Sequence, residues 1–198
     1  MCSSDLEDEI EIFNRKKPDK GLKNYNPYEV MEGECVPPMA AFGEGYRFHV
    51  TGLVHDKTGF PTTNSELAEE LINRLVNKIE NNLDDIVTYE EYKLNDADIA
   101  IVAYGGTARS AKSAVNAARN ENIKLGLFRP ITMWPSPRKQ IEELSKRVKK
   151  IIVVEMNLGQ YYLEVDRIAG KNTEVIKYGR VNGELITPEE ILNIVKEV

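Results

Sequence analysis

Three short apolar runs with helical patterns between them constrain the fold of this chain more than any other feature. Residues 151–155 read IIVVE, a nearly unbroken apolar run that is typical of a strand covered on both faces. The runs DIAIVAY at 98–104 and KLGLF at 124–128 precede it. Because strands that alternate with helices over short connections form parallel sheets, the pattern predicts an α/β fold with helices on both faces of a mostly parallel sheet.

Further elements extend this alternation to the end of the chain. We predict a strand at 174–178 and helices over 109–121, 136–148 and 159–169, with an earlier helix that begins near residue 63. Three helix starts carry capping signals, which are Thr63 with Glu66, Ser136 before Pro137, and Thr187 before Pro188 with Glu190. The expected architecture is a three-layer α/β/α domain.

Residues 1–62 differ from the rest of the chain. They hold five of the nine prolines and show no sustained period of 2 or 3.6. We therefore divide the chain into an extended arm or linker at 1–62 and an α/β domain at 63–198. Within the arm, we expect a strand-like stretch from Tyr46 to Leu53 and a turn from Asp56 to Gly59. We also expect the arm to be poorly protected when the chain is alone.

Charge and cysteine content exclude several classes of function. A net charge of −6 and a pI near 5.2 argue against nucleic-acid binding, which needs clustered lysines and arginines. No apolar run approaches the length of a membrane span, and the acidic first nine residues are unlike a secretory signal. Cys2 and Cys35 are too few to hold an iron–sulfur cluster. We expect a cytoplasmic protein that contacts no membrane and holds no metal or cofactor by itself.

The glycine turn after the strand at 98–104 is the first candidate site, since functional groups gather at the carboxyl ends of parallel strands. Gly105, Gly106 and Thr107 open a helix that carries Arg109. Backbone N–H groups at such a helix start can bind a phosphate. The glycine spacings of dinucleotide and P-loop sites are missing, so we favour a structural turn whose glycines let helix and strand pack closely.

Two other strand ends supply candidates with two interpretations each. Arg129 and Trp134 are residue types that anchor protein interfaces, so they predict a partner contact. The alternative is a tryptophan over the local core and an arginine paired with a carboxylate. Glu155, close to Asn157, is either a helix-capping or ion-paired carboxylate, which we favour, or a group with a shifted pKa.

The histidines of the arm form the last candidate group. His49, His55 and Asp56 lie close in sequence but lack the spacing of a helical zinc site, so we interpret them as contacts of the arm and not as metal ligands. No Ser-His-Asp or Cys-His set can be assembled that would indicate a catalytic nucleophile. The residues alone therefore indicate a domain without a catalytic set of its own.

Several separated blocks resemble one known family. YGGTARSA at 104–111, LGLFRPITMWP at 125–135 and IIVVEMNLGQ at 151–160 resemble the transketolase-like C-terminal domain in the alpha subunit of 2-oxoacid:ferredoxin oxidoreductases. GYRFHVTGLVHDKTGFPT at 45–62 and GELITPEEIL at 183–192 are similar to the same subunit, particularly the 2-oxoglutarate type. The resemblance covers roughly residues 10–198.

The resemblance implies a fold and an activity. The fold would have five strands, with Glu90 to Leu94 as an antiparallel edge strand, and Gly105 and Gly106 would face the loop at 155–157. The activity would be CoA-dependent oxidative decarboxylation of a 2-oxoacid to an acyl-CoA, with electrons passed to ferredoxin. Thiamine diphosphate, Mg²⁺ and a [4Fe-4S] cluster would act in the complex with the beta and other subunits.

The resemblance also implies a limited role for this chain. The pyrimidine-binding domain that begins such alpha subunits has no counterpart here, so we expect the linker and C-terminal domain of a larger subunit, with a structural and assembly role. No catalytic residue is carried over from the family. The alternatives are a stand-alone small-molecule or nucleotide-binding module, or a subunit of a pyruvate or branched-chain 2-oxoacid:ferredoxin oxidoreductase.

Overall fold

A computed structural model describes residues 13–198 and divides the chain into two compact units, Met1–Asn81 and Asn82–Val198. Between residues 13 and 81 the first unit has one helix, α1, and the second unit holds the sheet with its helices. The predicted arm at 1–62 and domain at 63–198 stay a prediction. The helices are α1 Ser65–Glu80, α2 Leu83–Ile86, α3 Thr107–Asn120, α4 Arg138–Arg147, α5 Gln160–Ala169 and α6 Pro188–Glu197, and the strands are β1 Tyr89–Tyr92, β2 Ile99–Val102, β3 Leu125–Pro130, β4 Lys150–Glu155 and β5 Glu174–Gly179.

The five strands form one sheet in the order β1-β3-β2-β4-β5. β1 pairs antiparallel with β3, so that Tyr89 lies opposite Pro130. β2 pairs in parallel with β3 on one side and β4 on the other, and β4 pairs in parallel with β5. The predicted fold, a mostly parallel five-stranded sheet with one antiparallel edge strand, is confirmed. Strand order reverses between β2 and β4, which places the switch point at their carboxyl ends.

Two hydrophobic cores cover the two faces of the sheet. Ile101 and Ala103 belong to the core formed with α3 and α6, whereas Ala100 and Val102 belong to the core formed with α4 and α5. This alternation arises because successive side chains of a strand point to opposite faces. All residues of the run at 151–155 are at most 1 % exposed, which confirms that this strand is covered on both sides.

The three capping predictions have different outcomes. Thr187 and Glu190 form a capping box at the start of α6, with Pro188 in the first turn, as predicted. The prediction for Thr63 is wrong, because Asn64 has the extended backbone of an N-cap and accepts a hydrogen bond from the Leu67 backbone at 3.0 Å. The prediction for Ser136 is also wrong, since its hydroxyl donates to the Met133 carbonyl at 3.3 Å instead of capping α4.

Tyrosine hydroxyls organise the described part of the first unit. Tyr25 donates to the Pro38 carbonyl at 3.0 Å and accepts from the Ala40 backbone at 2.9 Å. The strand-like stretch predicted from Tyr46 to Leu53 is wrong, because the backbone there pairs with no partner strand within residues 13–198. The turn at 56–59 is confirmed by a hydrogen bond from the Gly59 backbone to the Asp56 carbonyl at 3.0 Å.

None of the helices between residues 13 and 198 combines the length and the apolar character that a membrane crossing requires.

Candidate functional site

The Glu155 carboxylate lies at the switch point, at the end of β4, and is 1 % exposed. Its Oε2 atom accepts hydrogen bonds from the Tyr104 hydroxyl at 3.0 Å and from the Tyr161 backbone at 3.1 Å. Its Oε1 atom accepts from the Tyr162 backbone at 3.0 Å. Because the first N–H groups of a helix have no partner within the helix, the carboxylate caps α5 and also complements its dipole.

Asn157 completes the cap. Its Oδ1 atom accepts from the backbones of Gly159 at 2.8 Å and Gln160 at 2.9 Å, and its Nδ2 atom donates to the Tyr104 hydroxyl oxygen at 2.8 Å. Together, Asn157 and Glu155 satisfy the four consecutive backbone N–H groups of residues 159–162. The start of α5 is thereby filled by side chains of this chain and offers no open N–H group to an anion.

Two tyrosines enclose this cap. Burial, together with the hydrogen bond to Glu155 and its charge, raises the pKa of Tyr104 to about 12. Tyr161 packs edge-on against Tyr104, with ring centroids 5.6 Å apart, and burial raises its pKa to about 12 as well. Both phenols therefore stay protonated at neutral pH, where Tyr104 acts as a donor and not as a base.

Tyr104 and Tyr161 are site residues that were not predicted from the sequence. The available signal was a tyrosine two residues after a buried strand, at the same sheet edge as Glu155. Tyr104, the residue before the glycine turn, contacts the loop at 155–157, whereas the prediction that Gly105 and Gly106 face this loop stays a prediction.

Backbone conformation, and not close packing, explains the glycine turn at residues 105 and 106. Gly105 has a φ of 54°, in the left-handed region that glycine adopts readily, and Gly106 is the N-cap of α3 with helical backbone angles. A Cβ atom on either residue would meet no other atom within 4 Å. The prediction that these glycines allow close packing is therefore wrong. Thr107 begins α3, and Arg109 is exposed in its first turn.

Arg129 and Trp134 have different surroundings. Arg129 Nη1 lies 3.0 Å from Glu90 Oε2 on the antiparallel edge strand, which is the carboxylate pairing given above as an alternative. Trp134 is 76 % exposed, so it does not cover the local core. A partner contact through Trp134 stays a prediction.

Two of the three candidates of the first unit, His55 and Asp56, line one cavity, and His49 lines another. His49 stacks on Phe60 at 4.8 Å and His55 packs on Tyr28 at 4.1 Å between ring centroids. Hydrogen bonds from Thr58 hold the pKa of Asp56 below its usual value. Their role as contacts of the arm stays a prediction.

The donor atoms of residues 13–198 do not fit a metal centre or an iron–sulfur cluster. No group of three histidine, cysteine, aspartate or glutamate side chains in this range could hold a metal ion. Cys35 is the one cysteine in this range, whereas a [4Fe-4S] cluster takes four thiolates. Any such group in an assembly would need ligands from outside these residues.

Comparison with known proteins gives a consistent set of relatives. The family described as pyruvate:ferredoxin oxidoreductase core domain II matches residues 97–191. The 2-oxoglutarate synthase subunit KorA of Methanocaldococcus jannaschii is 43 % identical over 187 residues, which are 94 % of this chain and 49 % of that protein. The chain is homologous to the alpha subunits of 2-oxoacid:ferredoxin oxidoreductases. The resemblance predicted from the sequence blocks is confirmed.

A second KorA subunit and a solved oxidoreductase structure are similar to this chain over the same length. KorA of Methanothermobacter marburgensis is 42 % identical over 95 % of this chain and 50 % of its own length, so the chain spans about half the length of the curated relatives it matches. A solved 2-oxoglutarate:ferredoxin oxidoreductase from Magnetococcus marinus, with 2-oxoglutarate, coenzyme A and succinyl-CoA bound, superposes with a TM-score of 0.82. That match has 31 % identity and covers 95 % of this chain and 33 % of the other.

Proposed function

We propose that this chain forms part of the alpha subunit of a 2-oxoglutarate:ferredoxin oxidoreductase. The enzyme would convert a 2-oxoacid and CoA to an acyl-CoA and carbon dioxide, with electrons passed to ferredoxin, in the cytoplasm. The observation that carries the proposal is the 43 % identity to a KorA subunit over 94 % of this chain.

The proposed role of this domain is structural. The polar groups at its switch point are engaged with one another, because Glu155 and Asn157 bond to backbone N–H groups and to Tyr104. The Glu155 side chain is buried and committed to three donors, so it is not open to a substrate. Thiamine diphosphate, Mg²⁺ and a [4Fe-4S] cluster would be held by the beta and other subunits or domains of the complex, and the decarboxylation and electron-transfer chemistry would occur there.

The length of the matches favours 2-oxoglutarate over other 2-oxoacids. A ketoisovalerate oxidoreductase subunit VorB from Methanothermobacter marburgensis is 42 % identical over 57 % of this chain. The KorA subunits match at similar identity over 94 % and 95 % of it. The longer KorA similarity extends into the first unit, because it leaves only about a twentieth of the chain uncovered.

The test is recovery of the chain with its natural partners from its native source. The protein is isolated through a tag on this chain, its companions are identified by mass spectrometry, and ferredoxin reduction is measured with CoA and each of three substrates. We expect a thiamine-dependent enzyme subunit among the companions and a rate with 2-oxoglutarate that exceeds the rates with pyruvate and 2-oxoisovalerate. Recovery of the chain alone, or with partners unrelated to thiamine enzymes, would contradict the proposal.

A further inference from the structure

A cavity of about 260 Å³ lies beside α3, where that helix passes the β1–β3 edge of the sheet. Its floor is apolar and is formed by Ala108 and Leu127, which are only 4 % and 3 % exposed. Its walls are formed by Glu90, Tyr92, Arg109, Lys112 and Arg129. All of these residues belong to the second unit, so the cavity is complete within it.

The walls concentrate positive charge in an acidic protein. Three cations, Arg109, Lys112 and Arg129, face one carboxylate, Glu90, whereas the whole chain has a net charge of −6. Like charges repel, and the low-dielectric floor strengthens that repulsion. Composition does not account for this cluster, and an anion in the cavity would relieve the repulsion.

Two of the three cations have no carboxylate partner within residues 13–198. Arg109 makes no side-chain hydrogen bond or ion pair there, and the Lys112 ammonium lies 4.8 Å from the centre of the Tyr92 ring. Arg129 donates to Glu90 at 3.0 Å through Nη1, and its Nε atom is enclosed without a hydrogen-bond partner in the described chain. Most of the donor capacity of the cluster is therefore unused.

We propose that this cavity binds a phosphate group, either free or carried by a small molecule. Two guanidinium forks and one ammonium supply the charge-assisted donors that phosphate oxygens require. The volume is below the roughly 300–1,000 Å³ of pockets that enclose whole ligands, so the cavity takes the phosphate end and leaves the remainder of a larger ligand outside. The site stands on the cavity itself and does not depend on the proposed oxidoreductase function.

Calorimetric titration of the full chain with pyrophosphate at low ionic strength tests the site. The double variant Arg109→Gln with Lys112→Gln is expected to bind about tenfold or more weakly, because it removes two charged donors. Lys139→Gln is the matched control, since Lys139 is an exposed lysine on α4, which packs on the opposite face of the sheet. The control variant is expected to bind like the wild type.

Glu90→Gln separates binding at the cavity from a general effect on the fold. This substitution removes the carboxylate that competes with phosphate for Arg129, so the affinity for pyrophosphate is expected to rise about threefold or more. Tighter binding of ADP than of pyrophosphate would show that the ligand is a small molecule that carries a phosphate group. Equal binding of the two would show that the ligand is a free phosphate, and both outcomes support the site. No binding at roughly millimolar pyrophosphate, an equal loss in Lys139→Gln, or no gain in Glu90→Gln would overturn the proposal.

Discussion

At the residue scale, the buried Glu155 carboxylate is stabilised by one hydroxyl and two backbone N–H donors. Replacement of Glu155 with Gln keeps the shape but turns an N–H₂ group toward these donors and removes the charge that complements the α5 dipole. We expect a loss of about 2 kcal/mol in the free energy of unfolding, because a buried donor is left facing donors. Urea denaturation at an unchanged m-value measures this loss.

Glu164 supplies the control for that substitution. Glu164 lies on α5 and pairs with Arg167 at the surface, where an ion pair contributes at most about 1 kcal/mol. Glu164→Gln is therefore expected to change the unfolding free energy much less than Glu155→Gln. Equal losses in the two variants would contradict the capping role of Glu155.

The raised pKa values of Tyr104 and Tyr161, both about 12, predict a dependence on alkaline pH. An unfolded tyrosine ionises near its ordinary pKa of 10.0, whereas these two stay protonated in the folded chain until about 12. The stability that they contribute is thus fully present below pH 10 and is lost as the pH rises through about 12.

Ultraviolet absorbance of tyrosinate checks this dependence. Tyr104 and Tyr161 are expected to ionise in two late steps near pH 12, and Tyr104→Phe should remove one of these steps. Tyr161→Phe should remove the other late step. A titration of Tyr104→Phe that keeps both late steps would show that another tyrosine carries the shift.

At the element scale, the start of α1 tests which residue caps that helix. The Asn64 side chain accepts from the Leu67 backbone, while Thr63 makes no side-chain hydrogen bond in the described chain. Asn64→Ala is expected to weaken the first turn by about 1 kcal/mol, and Thr63→Ala should leave it unchanged. Hydrogen exchange of the α1 amides measures both, and faster exchange in Thr63→Ala alone would restore the sequence-based assignment.

The elements differ in how far the sequence predicts them. The apolar run at 151–155 predicts a strand covered on both faces, because no polar face is available to meet water. Thr187 and Glu190 predict a cap because both partners lie within one turn. The capping predictions for Thr63 and Ser136 were wrong because capping depends on the backbone angles of the capping residue. Those angles are set by the neighbouring residues in the folded chain.

The contacts of the site were less predictable than the elements. The hydrogen bond between Tyr104 and Glu155 joins residues 51 positions apart and depends on β2 lying next to β4. The sequence predicts that both strands end at the same edge of the sheet, but not that Tyr104 reaches across. The glycine turn was misinterpreted for a similar reason, since only its backbone angle distinguishes a conformational need from close packing.

At the scale of the whole molecule, exposed apolar side chains collect at the carboxyl edge of the sheet. Trp134, Leu158 and Leu185 follow β3, β4 and β5 and are 76 %, 79 % and 71 % exposed. Isolated exposed apolar residues are ordinary, but three on successive loops at one edge are typical of a surface that a partner covers. In the proposed assembly, we expect this edge to face another subunit or domain.

Trp134 allows a direct test, because it is the one tryptophan of the chain. Its fluorescence is expected to be red-shifted in the isolated chain and blue-shifted in the co-purified complex, since a partner would remove water from the ring.

Trp134→Ser should reduce recovery of companions severalfold while the unfolding free energy changes by less than about 0.5 kcal/mol, because an exposed side chain contributes little to the fold. Val198→Ser is the control: Val198 is 38 % exposed, and its carbonyl accepts from Lys150 at the amino end of β4, on the opposite edge. Equal recovery with Trp134→Ser and with the wild type would place the interface elsewhere on the molecule.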